Sequence, residues 1–385
     1  MEYHGEVTLS KEEQMRNVTI DRFRHGELSR AEAALKLNVS ERQVSRITKK
    51  VKEKGIAGIK HGNCGKVPWN KLDQNLLDQY VKLYKEKYFR FNYLHAYEMI
   101  QIHEGLSGVS YDSFRKACRK AGIGKTKKRR PSKVRLVRER FAEEGYMWQM
   151  DGSPEKWNLK DKWSLVALID DATSRIPNAS LEPSETTWSC MNVVRKAIEE
   201  HGRPEFILTD NAGWSSSSCK RRQFSQFERA CRELDITVIT TSSPQSKGRI
   251  ERLNRTMQDR LIPELDLYGI KKRKDANRYL NQCFIPDWNS RFTVTPKSKT
   301  NRYRPLPDHI NLDDIFCIKT KRIVNRNHTI CYQNKIYQIK PQHSLRGKEI
   351  EVLQYQDNSI SVKYGDTKIE CTEIKPQKRV WRKSS

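Results

Sequence analysis

From Tyr146 onward, short apolar runs of strand length alternate with stretches of helical spacing. YMWQMDG, WSLVALIDDATS and RIPNASLEPS read as three successive strands. TTWSCMNVVRKAIEEHG is a helix that opens after Ser184 and closes at Gly202. PEFILTDNAG is a buried-type strand ending in polar residues, FSQFERACRELD a helix, TVITTSS a strand and KGRIERLNRTMQDRL a long helix. The order β-β-β-α-β-α-β-α predicts a mixed five-stranded sheet with flanking helices over residues 146–305.

The pattern before this region is helical. In residues 15–55, Ala33, Ala34 and Leu37 share one helix face. Asn38 and Val39 follow, then Ser40 as an N-cap with Gln43 three residues on. The next helix repeats apolar residues at Val44, Ile47 and Val51, leaving Arg42, Gln43, Arg46 and Lys50 off the stripe. This is a helix-turn-helix whose second helix fits a major groove; an ordinary helical hairpin with a solvated basic face is the alternative. Residues 56–71 are rich in Gly and polar residues and read as a linker. Residues 72–123 form a second helical unit, with a stripe at Leu76, Leu77, Tyr80, Val81 and Tyr84. There Ser110 is an N-cap, Phe114, Ala117 and Ala121 point inward, and Arg115, Lys116 and Arg119 point away. A second helix-turn-helix and a plain bundle both fit. After the mixed region, residues 312–380 alternate like strands. TICYQNKIYQIK reads as one hairpin and EIEVLQY with SISVKYG as another, which predicts a small β-barrel.

Charge changes the picture. The chain of 385 residues carries 74 Lys and Arg against 47 Asp and Glu, a net +27. The excess falls in runs, which points to a polyanionic partner. The linker at 124–145 holds KTKKRRPSKVRLVRER, in which Lys127, Lys128, Arg129 and Arg130 are candidates for phosphate contacts. No apolar run reaches the length of a membrane span, so a membrane partner is excluded by composition. MEYHGEVTLS lacks the apolar core of a signal peptide, so an interior compartment is expected, most simply the cytoplasm. The nine cysteines show no CxxC pair and the nine histidines no ligand spacing. Buried free thiols are expected rather than disulfides or zinc.

Three acids then stand out. Asp151 is expected to end the first strand, Asp210 to end the fourth, and Glu251 lies in the first turns of the last long helix. If strands one and four are neighbours, the two aspartates sit side by side, and a helix across the sheet can bring Glu251 to them. Three carboxylates converging in a basic protein call for a neutralising cation, and hard oxygen donors suit Mg²⁺ or Mn²⁺. Two such ions clamp the attacking and leaving oxygens at phosphorus. On the long helix, Ile250, Leu253, Met257 and Leu261 form the core stripe, and Lys247, Glu251, Asn254, Arg255 and Gln258 the adjoining face. Lys247, Asn254 and Arg255 are the expected DNA contacts beside the site, against the alternative of solvated helix residues. Asp170 and Asp171 are expected to shape a turn, and Glu185 to favour a helix N-terminus.

MDGSPEKW, IDDATSR, PSETT, SSPQSKGRIERLNRTMQDRL, WNSRF and the RYRPLP segment resemble DDE-type insertion-sequence transposases, with an ISNCY-like branch the nearest. The resemblance covers most of the chain. It includes the N-terminal helix-turn-helix and implies a central α/β RNase H-like core similar to that of retroviral integrases; with the N-terminal all-α modules and the small barrel read above, a multidomain protein is expected. The resemblance also implies Asp151, Asp210 and Glu251 as catalytic and metal-binding residues, with Mg²⁺ or Mn²⁺, as two ions. The partners implied are double-stranded DNA, as element ends and target, and further copies of the chain in a synaptic complex. The compartment implied is the bacterial cytoplasm, at the nucleoid. Two other readings remain: a DNA-binding regulator that keeps the fold without catalysis, and an RNase H-like nuclease that cuts without joining.

Overall fold

The computed structural model describes residues 8–61, 63–64, 72–123, 138–210, 225–243 and 245–374. The chain divides into two compact units, Met1–Gln74 and Asn75–Ser385. Among the described residues no helix is long and apolar enough to cross a membrane.

The first unit holds α1 (Lys11–Arg24), α2 (Arg30–Leu37) and α3 (Glu41–Lys54). Each starts on a reciprocal capping box: Ser10 with Glu13, Ser29 with Glu32, and the expected Ser40 with Gln43. Asn38 ends α2 in the left-handed region, φ 51°, and three residues separate α2 from α3. Ile20, Ala33, Val44 and Val51 form the core. A 3₁₀ turn at Gly55–Ile59 follows and buries Ile59 in the same cluster. The start of the expected linker is therefore part of the folded unit, because Ile59 has an apolar site to fill.

The second unit opens with α4 (Gln74–Glu86), α5 (Tyr93–Glu104) and α6 (Tyr111–Lys120). Tyr80, Tyr84, Tyr93 and Phe114 pack ring against ring. Ser110 caps α6 as expected, but Ala121 is exposed and Cys118 takes the inward place one turn earlier.

The sheet is built from β1 (Met147–Glu155), β2 (Trp163–Asp170), β3 (Ala179–Glu182), β4 (Phe206–Thr209) and β5 (Thr237–Thr240). The helices α7 (Thr187–His201), α8 (Gln226–Glu233) and α9 (Gly248–Leu267) are interleaved in the expected order. The strand order is β3-β2-β1-β4-β5. Pairing is antiparallel for β1–β2 and β2–β3, and parallel for β1–β4 and β4–β5. Strand alternation sorts the two faces. Trp148, Met150, Val166 and Leu168 pack under α7 and α8. Leu165, Ala167 and Ile169 pack under Ile250, Leu253, Met257 and Leu261 of α9. Gln149 and Asp151 alternate onto the α9 side.

The back of the α9 region is capped by α10 (Arg273–Tyr279), a π-helical turn (Leu280–Phe284) and α11 (Ile285–Phe292). In the WNSRF segment Asn289 pairs with both backbone groups of Ile176, at 2.8 and 3.0 Å. α5 docks on α9 and α11 through polar contacts: His95 with Glu264 of α9 at 2.8 Å, and Glu98 with both Arg260 of α9 and Arg291 of α11 at 2.8 Å. In the RYRPLP segment the Tyr303 hydroxyl accepts from Trp148 Nε1 at 2.7 Å, and Arg304 pairs across with Arg203. Residues 138–145, expected within the basic linker, pack on the core instead. Arg138 pairs with Asp171, and Arg140 donates to Ser174 Oγ at 2.7 Å.

A short helix α12 (Leu312–Ile315) leads into β6 (Ile318–Ile323), β7 (Thr329–Tyr332), β8 (Lys335–Lys340), β9 (Glu349–Gln354), β10 (Ile360–Tyr364) and β11 (Thr367–Ile374). They form a nearly closed antiparallel sheet in the order β6-β9-β10-β11-β8-β7. The first expected hairpin turns at Gln333 and Asn334, both with positive φ. Among the described residues every cysteine is free, but Cys64, Cys283 and Cys331 are exposed rather than buried.

Candidate active site

β1 and β4 are neighbours, and their pairing ends at Gln149 opposite Leu208. Asp210 directly follows β4, as expected. Asp151 does not end its strand: β1 continues to Glu155 because β2 pairs with it along that whole stretch. Asp151 instead stands just past the point where β4 stops, so the sheet opens beside it.

Both oxygens of Asp151 take hydrogen bonds from α9 and the residue just before it. Lys247 Nζ donates to Oδ1 at 2.7 Å, and Asn254 Nδ2 donates to Oδ2 at 3.0 Å. The same ammonium lies 3.6 Å from Asp210 Oδ2. Glu251, exposed, sits on α9 one turn after Lys247. Burial pushes the Asp151 carboxyl above its usual range; Lys247 opposes this, and the charges of Asp210 and Glu251 add to it. The charges of Asp210 and Glu251 thus both act on Asp151.

A second layer holds this arrangement. Gln149, fully buried, accepts from the Ile250 backbone N–H at 3.1 Å and donates to Asp171 Oδ1 at 2.6 Å. Asp171 also accepts from Phe141 N at 3.0 Å, pairs with Arg138 and lies 3.5 Å from Arg249. Of the two acids expected in a turn, only Asp170 does that work, accepting from Thr173 N and Oγ1, both at 2.8 Å. Asp171 is a buried anchor for the first turn of α9, since a fully buried carboxylate must be paired.

Glu185 directly precedes the N-cap of α7, at the helix N-terminus where it was expected, but its side chain also reaches β1. Thr186 is the cap itself, its hydroxyl accepting from Ser189 N at 3.2 Å. The Glu185 carboxylate lies against Gly152, where any Cβ would strike it. A fourth acid therefore approaches the site, beside the glycine that follows Asp151.

The other expected contacts divide by environment. Arg42, Gln43, Arg46, Lys50, Lys116, Arg119 and Arg255 are exposed. The Gln43 carboxamide is engaged in its helix cap at 3.1 Å. Arg115 is half-buried, pairs with Asp112 at 3.0 Å and lies over the Tyr111 ring. Lys247 and Asn254 are 8% and 7% exposed and turn to Asp151, not to solvent. Their helix face is the expected one, but the neighbouring strand covers it. Lys127, Lys128, Arg129 and Arg130 lie outside the described residues.

Among the described residues no three His, Cys, Asp or Glu side chains come together as a metal-ligand cluster. A cation nevertheless already bridges two acids, the Lys247 ammonium between Asp151 and Asp210. Asn254 Oδ1, beside them, is buried without a protein hydrogen-bond partner. Carboxylate and amide oxygens are the hard donors that Mg²⁺ and Mn²⁺ take. The residues present fit such an ion in the place of the ammonium.

No family model matches the chain. It is 29% identical over 374 residues to "Putative transposase y4bF" of Sinorhizobium fredii, covering 94% of this chain and 80% of the relative. It is also 29% identical over 392 residues to the transposase for insertion sequence IS1202 of Streptococcus pneumoniae, covering 91% and 83%. Among solved structures, the integrase catalytic core domain of HTLV-2 in complex with magnesium is 24% identical. It covers 37% of this chain and 91% of that one, with a TM-score of 0.30. The simian T-cell lymphotropic virus intasome in complex with the PP2A regulatory subunit B56 gamma is 18% identical, covering 76% and 96%, with a TM-score of 0.36. The chain resembles insertion-sequence transposases along most of its length.

Proposed function

We propose that this chain is a DDE transposase that binds the ends of a mobile DNA element, cuts a strand at each 3′ end and joins it to target DNA. The carrying observation is that Asp151 and Asp210, from adjacent strands, converge on one cation, with Glu251 one helical turn along α9. The transposase names of relatives that align over nearly the whole chain support the same reading.

In this reading the core is RNase H-like, and Asp151, Asp210 and Glu251 hold two Mg²⁺ or Mn²⁺ ions. The ions supply charge stabilisation for an attacking and a leaving oxygen at phosphorus. The chain's own residues do the rest. Gln149 and Asp171 fix the start of α9 against β1 and so set the spacing of the acids. Arg252 and Arg255, exposed on α9, offer charge to the DNA backbone. In the first step water attacks the phosphorus and the element's 3′ oxygen leaves. In the second, that 3′-OH attacks a target phosphate and a target 3′ oxygen leaves. Neither step needs a covalent protein–DNA bond. The α2–turn–α3 module presents Arg42, Arg46 and Lys50 from one exposed helix, which suits reading of a major groove. Joining two ends requires more than one copy of the chain.

The test uses oligonucleotides carrying the element's terminal repeat, with Mg²⁺ or Mn²⁺. Cleavage and joining that vanish in Glu251→Gln support the proposal. Specific binding without metal-dependent cleavage sinks it in favour of a silent regulator, and cleavage without joining favours a nuclease.

A further inference from the structure

Lys247 has the wrong surroundings for a residue that only waits for DNA. Its side chain is 9% exposed, less than either partner acid, at 17% for Asp151 and 44% for Asp210. It makes no cap for α9, although it occupies the N-cap position. Its ammonium touches Asp151 Oδ1 at 2.7 Å and lies 3.6 Å from Asp210 Oδ2. The other Asp151 oxygen is taken by Asn254 at 3.0 Å.

A Mg²⁺ ion binds a carboxylate oxygen at roughly 2.0–2.1 Å. An ion bound to Asp151 Oδ1 between the two acids would occupy the space of the Lys247 ammonium. Two cations so close repel. One of them must leave. Only the lysine has a flexible four-carbon stem on which to move while its backbone stays in place.

We propose that Lys247 is a resident counter-ion of the Asp151–Asp210 pair that a divalent metal must displace, and that its freed ammonium is then offered to the DNA backbone. The inference rests on the metal-binding reading of the acids. It reconciles the buried position of Lys247 with a role in DNA contact, since the two belong to different states. It also makes metal and DNA binding favour each other, because both favour the state with the lysine swung out.

The experiment uses the full chain without DNA. Mn²⁺ binding is measured by calorimetry for the unmodified protein, Lys247→Met, Lys247→Arg and Asp151→Asn. Removing the charge in Lys247→Met is expected to tighten Mn²⁺ binding roughly tenfold, while Lys247→Arg stays near the parent affinity. If Lys247→Met binds Mn²⁺ no more tightly while Asp151→Asn abolishes binding, the counter-ion proposal is overturned and the triad reading stands. If Asp151→Asn binds Mn²⁺ like the parent, the triad reading itself fails. A second measurement needs no variant and so does not depend on how a substitution folds. Reductive methylation read by peptide mass spectrometry is expected to spare Lys247 without metal and label it in saturating Mn²⁺. Equal protection with and without Mn²⁺ overturns the proposal.

Discussion

The carboxamide of Gln149 accepts a hydrogen bond from the backbone N–H of Ile250 at 3.1 Å, which ties the strand of Asp151 to the helix of Glu251. The two bonded residues stand two before Asp151 and one before Glu251. The same amide donates to Asp171, so it cannot rotate without losing both partners. Gln149→Ala should leave a buried N–H and a buried carboxylate short of partners, costing about 2–3 kcal/mol. Denaturant midpoints measure this. In strand-cleavage assays the variant should lose turnover more than DNA affinity, and an unchanged midpoint would refute the bridging role.

Gly145 is held at φ 77°, and a Cβ there would come within 2.7 Å of the Tyr303 backbone nitrogen. Gly145→Ala therefore combines left-handed strain with overpacking against backbone, which cannot move aside cheaply. A loss of about 2–4 kcal/mol is expected. Thermal unfolding is the check, and a shift of a degree or less would show that the RYRPLP segment is not anchored there.

Asp314 carries the pH prediction. Burial opposes its charge, yet Lys368, Lys363 and Tyr355 outweigh that and hold its carboxyl down to about 2. A carboxyl depressed below its unfolded value of 3.8 adds stability that is fully present above that value. The contribution fades as pH falls through the folded value. It should amount to no more than about 2 kcal/mol, because Lys368 is half exposed and screened by solvent. Asp314→Asn should match the parent's stability near pH 2 and fall below it at pH 5, by urea titration at each pH.

Arg46 and Lys50 test the first unit. Both are exposed on α3, off its buried stripe. If they contact phosphates, each Ala substitution should weaken binding to all sequences alike and lower the salt slope by about one. If either reads a base, the loss should be confined to the terminal-repeat sequence. Binding isotherms at several salt concentrations separate the two, and no change in either variant would remove α3 from the DNA interface.

The local features were legible because they depend on local rules. Ser40 and Gln43 announced a capping box, and the structure has it. Ile250, Leu253, Met257 and Leu261 repeat at helical spacing, and all four are buried. The order of strands and helices followed from changes of period. β6 and β11 were missed: β6 has no tight turn beside it, and the two-residue turn at Gly365 and Asp366 that joins β11 to β10 was not read as a hairpin signal. The inward residue of α6 was misplaced by one turn, because Ala121 and Cys118 are both compatible with the spacing and only packing chooses between them.

The sequence by itself determined which acids and bases the chain owns, the helix face that carries Glu251 and the order of elements around Asp151 and Asp210. Spacing along one chain fixes these, since helix and strand periods are properties of the backbone. Only the tertiary structure decided who partners whom. It turned Lys247 and Asn254 inward to Asp151, made Asp171 a buried anchor and brought Glu185 against Gly152. Each of these is a contact between residues distant in sequence, whose energy depends on burial and on the nearest opposite charge. No local pattern encodes that, because it exists only once β1, β4 and α9 meet.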